Sequence, residues 1–159
     1  LIFITLGSQK FQFNRLLEEV DKLIEQGIIT EEVFAQIGYS DYKPKNYKYN
    51  KFLDRDEFTE IIKKCDKVIT HGGTGAIINA VKNNKKVIAI PRLAKYGEHV
   101  DDHQLQIVKK FKEMGVISIC NDTKYLKKIY DEIESKIGKI YISNTEAIIE
   151  SIDRFLRNF

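Results

Sequence analysis

Short apolar runs alternate along the chain with stretches in which apolar residues recur at helical spacing. Residues 1–6 form a continuous apolar run of the kind that is typical of a buried parallel strand. Similar runs predict five further strands, at residues 33–37, 47–52, 67–70, 86–90 and 116–119. Residues 47–52 alternate polar and aromatic side chains, and this pattern predicts a strand near an edge of the sheet.

Apolar residues that recur every three or four positions predict helices between these strands. The predicted helices are marked by Phe13, Leu16, Leu17, Val20, Leu23 and Ile24; by Phe58, Ile61, Ile62 and Cys65; by Ile77, Ile78 and Val81; by Val100, Leu105, Ile107, Val108 and Phe111; and by Ile148, Ile149, Ile152, Phe155 and Leu156. Alternation of strand and helix predicts an α/β protein with a single doubly wound, Rossmann-like parallel sheet and right-handed crossovers. We expect one domain over residues 1–159.

Composition narrows the classes of function. The chain has 159 residues, 43% of them hydrophobic, and a net charge of +3 with the basic residues interspersed. The sequence has no cluster of arginines and no basic repeat interleaved with aromatic residues, so we do not expect it to bind nucleic acid. Cys65 and Cys120 lack metal-ligand spacing, so we expect buried cytosolic thiols. No apolar run approaches the roughly 20 residues that span a bilayer, and membrane association is expected only at the surface or through a partner.

The sequence His71-Gly72-Gly73-Thr74-Gly75 lies where the fourth predicted strand gives way to a helix. Glycines let backbone N–H groups approach a phosphate closely, and the first turn of a helix stabilises the phosphate charge. This motif therefore predicts a site for a phosphate-bearing ligand. A tight turn with Thr74 as the N-cap remains an alternative.

A second polar constellation follows the fifth predicted strand. Pro91 ends that strand, and residues 98–104 read Glu-His-Val-Asp-Asp-His-Gln. In an open parallel sheet, ligands bind at the carboxyl ends of the strands. We therefore expect this loop and the glycine-rich turn to face one crevice.

The first predicted strand ends in Gly7-Ser8-Gln9 and lacks the Gly-x-Gly-x-x-Gly fingerprint of dinucleotide sites. This absence disfavours an NAD-dependent nucleotide-sugar epimerase or dehydrogenase. The sequence instead predicts a diphosphate site at the fourth strand–helix turn, at residues 72–75, and no cofactor.

Together, residues 2–8, residues 71–75, Ile90-Pro91-Arg92 and Asp102-His103-Gln104 resemble the C-terminal, donor-binding half of family 28 glycosyltransferases. These enzymes have the GT-B fold, and the resemblance covers essentially the whole chain. It is greatest to the small PssE-like subunits of capsule and exopolysaccharide synthesis. The resemblance implies an inverting hexosyltransferase that uses a UDP-sugar.

The resemblance also implies roles for individual residues. Gly72, Gly73, Thr74 and Gly75 would hold the donor diphosphate, and Gly7 and Ser8 would close the crevice. His71 would belong to the same nucleotide-sugar site. Phe52 and Leu53 match the position that holds uracil, although plain core or edge packing is an alternative for both. His103 and Gln104 match the pair that contacts sugar hydroxyls, and Asp102 lies beside them in the sequence. Polar side chains suit this task because sugar hydroxyls donate and accept hydrogen bonds.

One position departs from the family pattern. Eight residues after His71 the family has an acidic side chain on the ribose hydroxyls, whereas this chain has Asn79. An amide still makes hydrogen bonds there, but without the added strength of a carboxylate. We expect weaker donor binding or a different ribose contact.

The resemblance further implies a divided enzyme. Inverting transfer needs a base for the acceptor hydroxyl and electrostatic stabilisation of the leaving UDP. Glu98 and His99 are the local candidates for the base, which GT-B enzymes usually take from the N-terminal domain. The implied partner is a membrane-anchored, PssD-like acceptor-binding subunit that would hold this cytoplasmic chain at the inner membrane face. The implied donor is UDP-galactose and the implied acceptor a polyprenyl-diphosphate-linked glucose. A non-catalytic nucleotide-binding module that regulates its partner remains the alternative from another class.

Overall fold

The computed structural model describes residues 1–7, 12–71, 74–91, 103–135 and 154. Its strands are β1 (Ile2–Thr5), β2 (Val33–Gln36), β3 (Lys48–Asn50), β4 (Lys67–Thr70), β5 (Lys86–Ala89) and β6 (Ser118–Ile119). Its helices are α1 (Asn14–Glu25), α2 (Arg55–Lys64), α3 (Thr74–Lys82), α4 (His103–Glu113) and α5 (Leu126–Ser135), with a short 3-10 helix at Thr123–Tyr125. Each predicted strand is confirmed: β4 has the predicted bounds, and the other five strands are shorter than predicted by one to three residues.

The six strands form one parallel sheet in the order β3-β2-β1-β4-β5-β6. All residues of β1 and β4 are buried. Burial on both faces explains the nearly continuous apolar run of β1, whereas β4 is apolar only at its two central residues. The strand β3 lies at an edge, and its exposed, half-buried, exposed pattern confirms the edge position that its alternating sequence predicts.

A hydrophobic core covers each face of the sheet. Alternate strand residues such as Ile4 and Ile69 pack with α1 and α5, whereas Phe3 and Val68 pack with α2, α3 and α4. Because successive side chains of a strand point to opposite faces, one strand serves both cores. The doubly wound α/β fold predicted from the sequence is thereby confirmed, and Cys65 and Cys120 are buried free thiols, as expected.

One described helix was missed from the sequence. Residues 126–135 form α5, which packs on the sheet through Leu126, Tyr130 and Ile133. The spacing of these residues, with Ile129, is helical and could have predicted it. The predicted helix around residues 148–156 lies outside the described residues except for Arg154. No helix of the described residues is long and apolar enough to cross a membrane.

A group of charged residues, here called the amino-edge ion cluster, holds α5 to the sheet. Lys67 Nζ lies 2.7 Å from Glu31 Oε2 and also contacts Glu134. Tyr130 Oη donates to Glu31 Oε2 at 2.8 Å. Burial opposes the charged form of Lys67, but its hydrogen bonds with Glu134 and Glu31 prevail and raise its pKa. The cluster lies at the amino ends of β2 and β4, away from the edge at which parallel sheets bind ligands.

Candidate functional site

The candidate site lies where the strand order reverses, between β1 and β4. After β1 the chain enters α1 on one face of the sheet, and after β4 it enters α3 on the other face. The two helices therefore lie on opposite faces of the sheet, and in folds of this kind a crevice forms at such a reversal of strand order. This switch point, at the carboxyl ends of the strands, is where open α/β sheets bind ligands.

Gly7 and His71 meet at this switch point. Gly7 has a φ of +72°, and a Cβ placed on it would lie 2.6 Å from His71 Nε2. Glycine is required here for both reasons, because other residues rarely adopt this φ and because the imidazole fills the space of a side chain. The His71 side chain is itself buried. The structure thus brings together two residues that the sequence assigned to one site.

Buried polar side chains join the ends of the three strands beneath this contact. Thr5 Oγ1 donates to Gln36 Oε1 at 3.2 Å, and Thr70 Oγ1 donates to the Thr5 carbonyl oxygen at 3.1 Å. These residues are neighbours in register on β1, β2 and β4. Because buried polar groups need partners, this row fixes the relative positions of the turns that follow.

Helix α3 begins at Thr74, as the sequence predicts. Gly75 is exposed in its first turn, and a Cβ placed there meets no described atom within 4 Å. Packing among the described residues therefore does not require glycine at this position. The first turn of a helix offers unpaired N–H groups and a partial positive charge, which together suit a phosphate.

Asn79, the candidate ribose residue, lies half-buried further along α3. Its side-chain oxygen Oδ1 accepts a hydrogen bond from Asn83 Nδ2 at 3.1 Å. Asn83 Nδ2 also donates to the Asn79 carbonyl oxygen at 2.8 Å. The amide of Asn79 is therefore held against its own helix, and a second lone pair of Oδ1 remains for a ligand.

Phe52 and Leu53, the candidate uracil residues, follow β3 and lie, like the turns described above, at the carboxyl ends of the strands. Their surroundings differ. Leu53 is half-buried and packs against the core on the α2 side. Phe52 is 46% exposed, and its ring packs edge-to-face on that of Tyr39, with centroids 5.1 Å apart. Sequence reasoning missed Tyr39, since a lone aromatic residue in a turn carries no periodic signal.

Arg15 is a second residue that sequence reasoning missed. It lies in the first turn of α1, and its Nη2 donates to the Pro91 carbonyl oxygen at 3.1 Å. Pro91 follows β5 and precedes the predicted sugar-binding loop. This hydrogen bond therefore places a guanidinium at the carboxyl edge of the sheet, between α1 and the start of that loop.

His103 and Gln104, the candidate sugar-binding residues, are the first two residues of α4. Ser8, Gly72, Gly73 and Asp102 lie outside the described residues, as do Glu98 and His99, the candidate catalytic residues. The described part of the site thus comprises the turn after β1, the ends of β2 to β5 and the first turns of α3 and α4.

Comparisons with known proteins show what the chain is similar to. A family model described as "Glycosyltransferase family 28 C-terminal domain" matches residues 1–157. The UDP-N-acetylglucosamine transferase subunit ALG13 of Candida glabrata is 34% identical over 83 residues. That match covers 52% of this chain and 40% of the relative, so the chain spans less than half the length of this relative.

Solved structures show the same fold. The glycosyltransferase of kitacinnamycin superposes with a TM-score of 0.64 at 15% identity, covering 99% of this chain and 39% of that one. The solution structure of ALG13 has a TM-score of 0.53 at 19% identity, covering 87% of this chain and 85% of that one. Both likenesses support the expected half of a GT-B fold.

Proposed function

The chain belongs to the glycosyltransferase family 28 C-terminal domain family, and on that premise we propose that it is the donor-binding subunit of an inverting UDP-sugar transferase. The observation that carries the proposal is the contact of Gly7 with His71 at the switch point of the sheet. It places the turn after β1 beside the strand that leads into α3, where a diphosphate would meet both.

The proposed roles follow from the resemblance of the sequence to this family. The first turn of α3, with Gly72, Gly73, Thr74 and Gly75, would bind the diphosphate and stabilise the charge of the leaving UDP. Asp102, His103 and Gln104 would contact the sugar. Glu98 or His99 would serve as the base unless the partner supplies it.

We further propose that the enzyme is divided. ALG13, by its name, is a subunit of a UDP-N-acetylglucosamine transferase. By analogy, a membrane-anchored, PssD-like partner would bind a lipid-linked acceptor and hold this chain at the inner membrane face. The proposed transfer in capsule or exopolysaccharide synthesis is of galactose to polyprenyl-diphosphate-linked glucose. N-acetylglucosamine is the rival sugar that the name of the relative suggests.

The variant Gly75→Ala tests the diphosphate site, because it should weaken UDP binding without lowering the stability of the fold. Alanine forms helices better than glycine, so the variant should be as stable as the wild type or more stable by up to about 1 kcal/mol. Yet a methyl group beside the diphosphate should weaken UDP binding. UDP at one hundred times its Kd should stabilise the wild type by about 2.7 kcal/mol, which raises Tm by roughly 5 to 10 °C. If UDP raises the Tm of Gly75→Ala as much as that of the wild type, the diphosphate does not bind at this turn.

Transfer assays test the activity and the partner. The purified chain, alone and with the membrane-anchored partner, is supplied with UDP-galactose, UDP-glucose or UDP-N-acetylglucosamine and the lipid-linked acceptor. We expect transfer only with the partner, and reduced transfer with intact UDP binding in Gln104→Ala. Full transfer by the chain alone would refute the divided enzyme, whereas UDP binding without any transfer by the complex would favour a regulatory nucleotide-binding module.

A further inference from the structure

Two exposed aromatic side chains lie together beside the candidate site. Tyr39 is 53% exposed and Phe52 is 46% exposed. Their rings meet edge-to-face, at an interplanar angle of 71°. Of the large hydrophobic side chains in the described residues, Tyr125 alone is similarly exposed. An exposed pair in mutual contact differs from scattered surface residues and often marks a binding surface.

The backbone fixes this pair relative to the switch point. Beyond the ends of β2 and β3, Ile37 N donates to Asn50 O at 3.0 Å and Gly38 N donates to Lys51 O at 2.7 Å. The strands therefore remain paired up to the residue before each ring. Gly38 has a φ of +59°, and a Cβ placed on it would lie 2.9 Å from the Gly7 carbonyl oxygen. The turn that carries Tyr39 is thus packed against the turn that meets His71.

Unused backbone groups lie beside the rings. Within the described part of the chain, the backbone N–H and C=O groups of Phe52 and Leu53 make no hydrogen bond. The surface therefore combines aromatic faces with a donor and an acceptor on adjacent residues. A pyrimidine base presents the complementary features, which are an apolar face and an edge of donors and acceptors.

The spacing also fits a nucleotide. Two strand intervals, roughly 10 Å, separate β4 from β2. A ligand with its diphosphate at the start of α3 would span β1 with its ribose and reach the rings with its base. We propose that Tyr39, with Phe52, forms an aromatic wall against the nucleobase of the donor and contributes to the affinity for UDP. This inference rests on the proposed function and adds Tyr39 to the residues of the donor site.

We choose the base over a protein partner as the occupant for two reasons. The pair borders the crevice of the proposed donor, and the backbone groups beside it match the edge of a base. An apolar protein surface laid over Phe52 and Leu53 would leave those polar groups without partners, which is costly.

Titration calorimetry of the full chain tests the proposal with UDP and with inorganic diphosphate as probes. Tyr39→Ala should raise the Kd for UDP about five- to tenfold, the lower end of the range expected for the loss of an aromatic contact with a base. It should leave diphosphate binding unchanged, because diphosphate has no base. Tyr39→Phe should retain UDP affinity. Tyr125→Ala is the matched control, since it removes an exposed tyrosine near the opposite edge of the sheet.

The outcomes are distinct. An unchanged Kd for UDP in Tyr39→Ala overturns the aromatic wall while leaving the proposed function intact, and loss of partner assembly in that variant would assign the pair to the partner instead. An equal loss of UDP and diphosphate binding also overturns the proposal, because the effect would then not concern the base. A wild-type chain that binds no UDP refutes the proposed function, and the aromatic wall with it.

Discussion

The contact between Gly7 and His71 can be measured by comparing two alanine substitutions. Gly7 and Gly27 share a φ of +72°, but a Cβ at Gly27 meets no described atom within 4 Å. Gly27→Ala therefore reports the cost of the left-handed backbone alone. Gly7→Ala reports the same cost together with displacement of His71, which lies 2.6 Å from the added atom.

The expected magnitudes follow from this difference. Alanine in the left-handed region costs about 1 to 2 kcal/mol, so Gly27→Ala should lower the free energy of unfolding by that amount. The His71 ring is buried, and forcing it from its packed position should cost a further 1 to 2 kcal/mol or so. Gly7→Ala should therefore be destabilised by about 2 to 4 kcal/mol.

Urea denaturation measures both variants, and titration with UDP provides a second readout. Gly27→Ala should bind UDP as the wild type does, because Gly27 lies between α1 and β2, toward the amino ends of the strands and away from the candidate site. Gly7→Ala should bind UDP about tenfold more weakly if the displaced turn costs the complex about 1.4 kcal/mol. Equal destabilisation of the two variants, to within 0.5 kcal/mol or so, would refute the reasoning about the His71 contact.

Three further predictions concern the framework around the site. Asp21→Ala should cost about 3 kcal/mol in urea denaturation, because the buried carboxylate accepts hydrogen bonds from Tyr42 Oη at 2.6 Å and from two backbone N–H groups at 2.9 Å; a loss below about 1 kcal/mol would contradict this. Lys67→Met should cost about 3 kcal/mol by leaving Glu31 and Glu134 without their cation. Without Lys67 the two carboxylates should repel each other, so adding Glu31→Gln should recover part of the lost stability. If the double variant recovers none, repulsion between Glu31 and Glu134 is not the cause of the loss. The hydrogen bond to Asp21 raises the pKa of Tyr42 to about 12, so the stability it contributes is complete below pH 10 and declines as the pH rises toward 12. Tyr42→Phe should flatten this decline in denaturation experiments, and an unchanged slope would refute its assignment to Tyr42.

The sequence predicted the central strands well and the surroundings of the site less well. The strand β1 is buried on both faces, and burial of that kind leaves a nearly continuous apolar signal. The start of α3 was also predicted, because glycines directly before a helical pattern mark a turn. The position of Tyr39 beside Phe52 depends on the pairing of β2 with β3, which no local pattern encodes.

The same limit applies to Arg15 and to α5. The partner of Arg15 is a carbonyl group 76 residues away, and the hydrogen bond from Tyr130 to Glu31 spans 99 residues. Helical spacing was present in α5, but its place on the sheet depends on its apolar packing and on the amino-edge ion cluster. Such contacts between distant residues become visible only when the chain is folded.

The lengths of the outer strands have a consequence for assembly. The edge strand β3 has three residues and begins with the exposed Lys48, and β6 has two residues. Short edge strands offer few backbone groups to a neighbouring strand, and a charged residue such as Lys48 further discourages sheets from joining side by side. A protein that associates with the described part of this chain should therefore dock on helices and loops, and the interface should tolerate changes in β3 that keep its side chains polar.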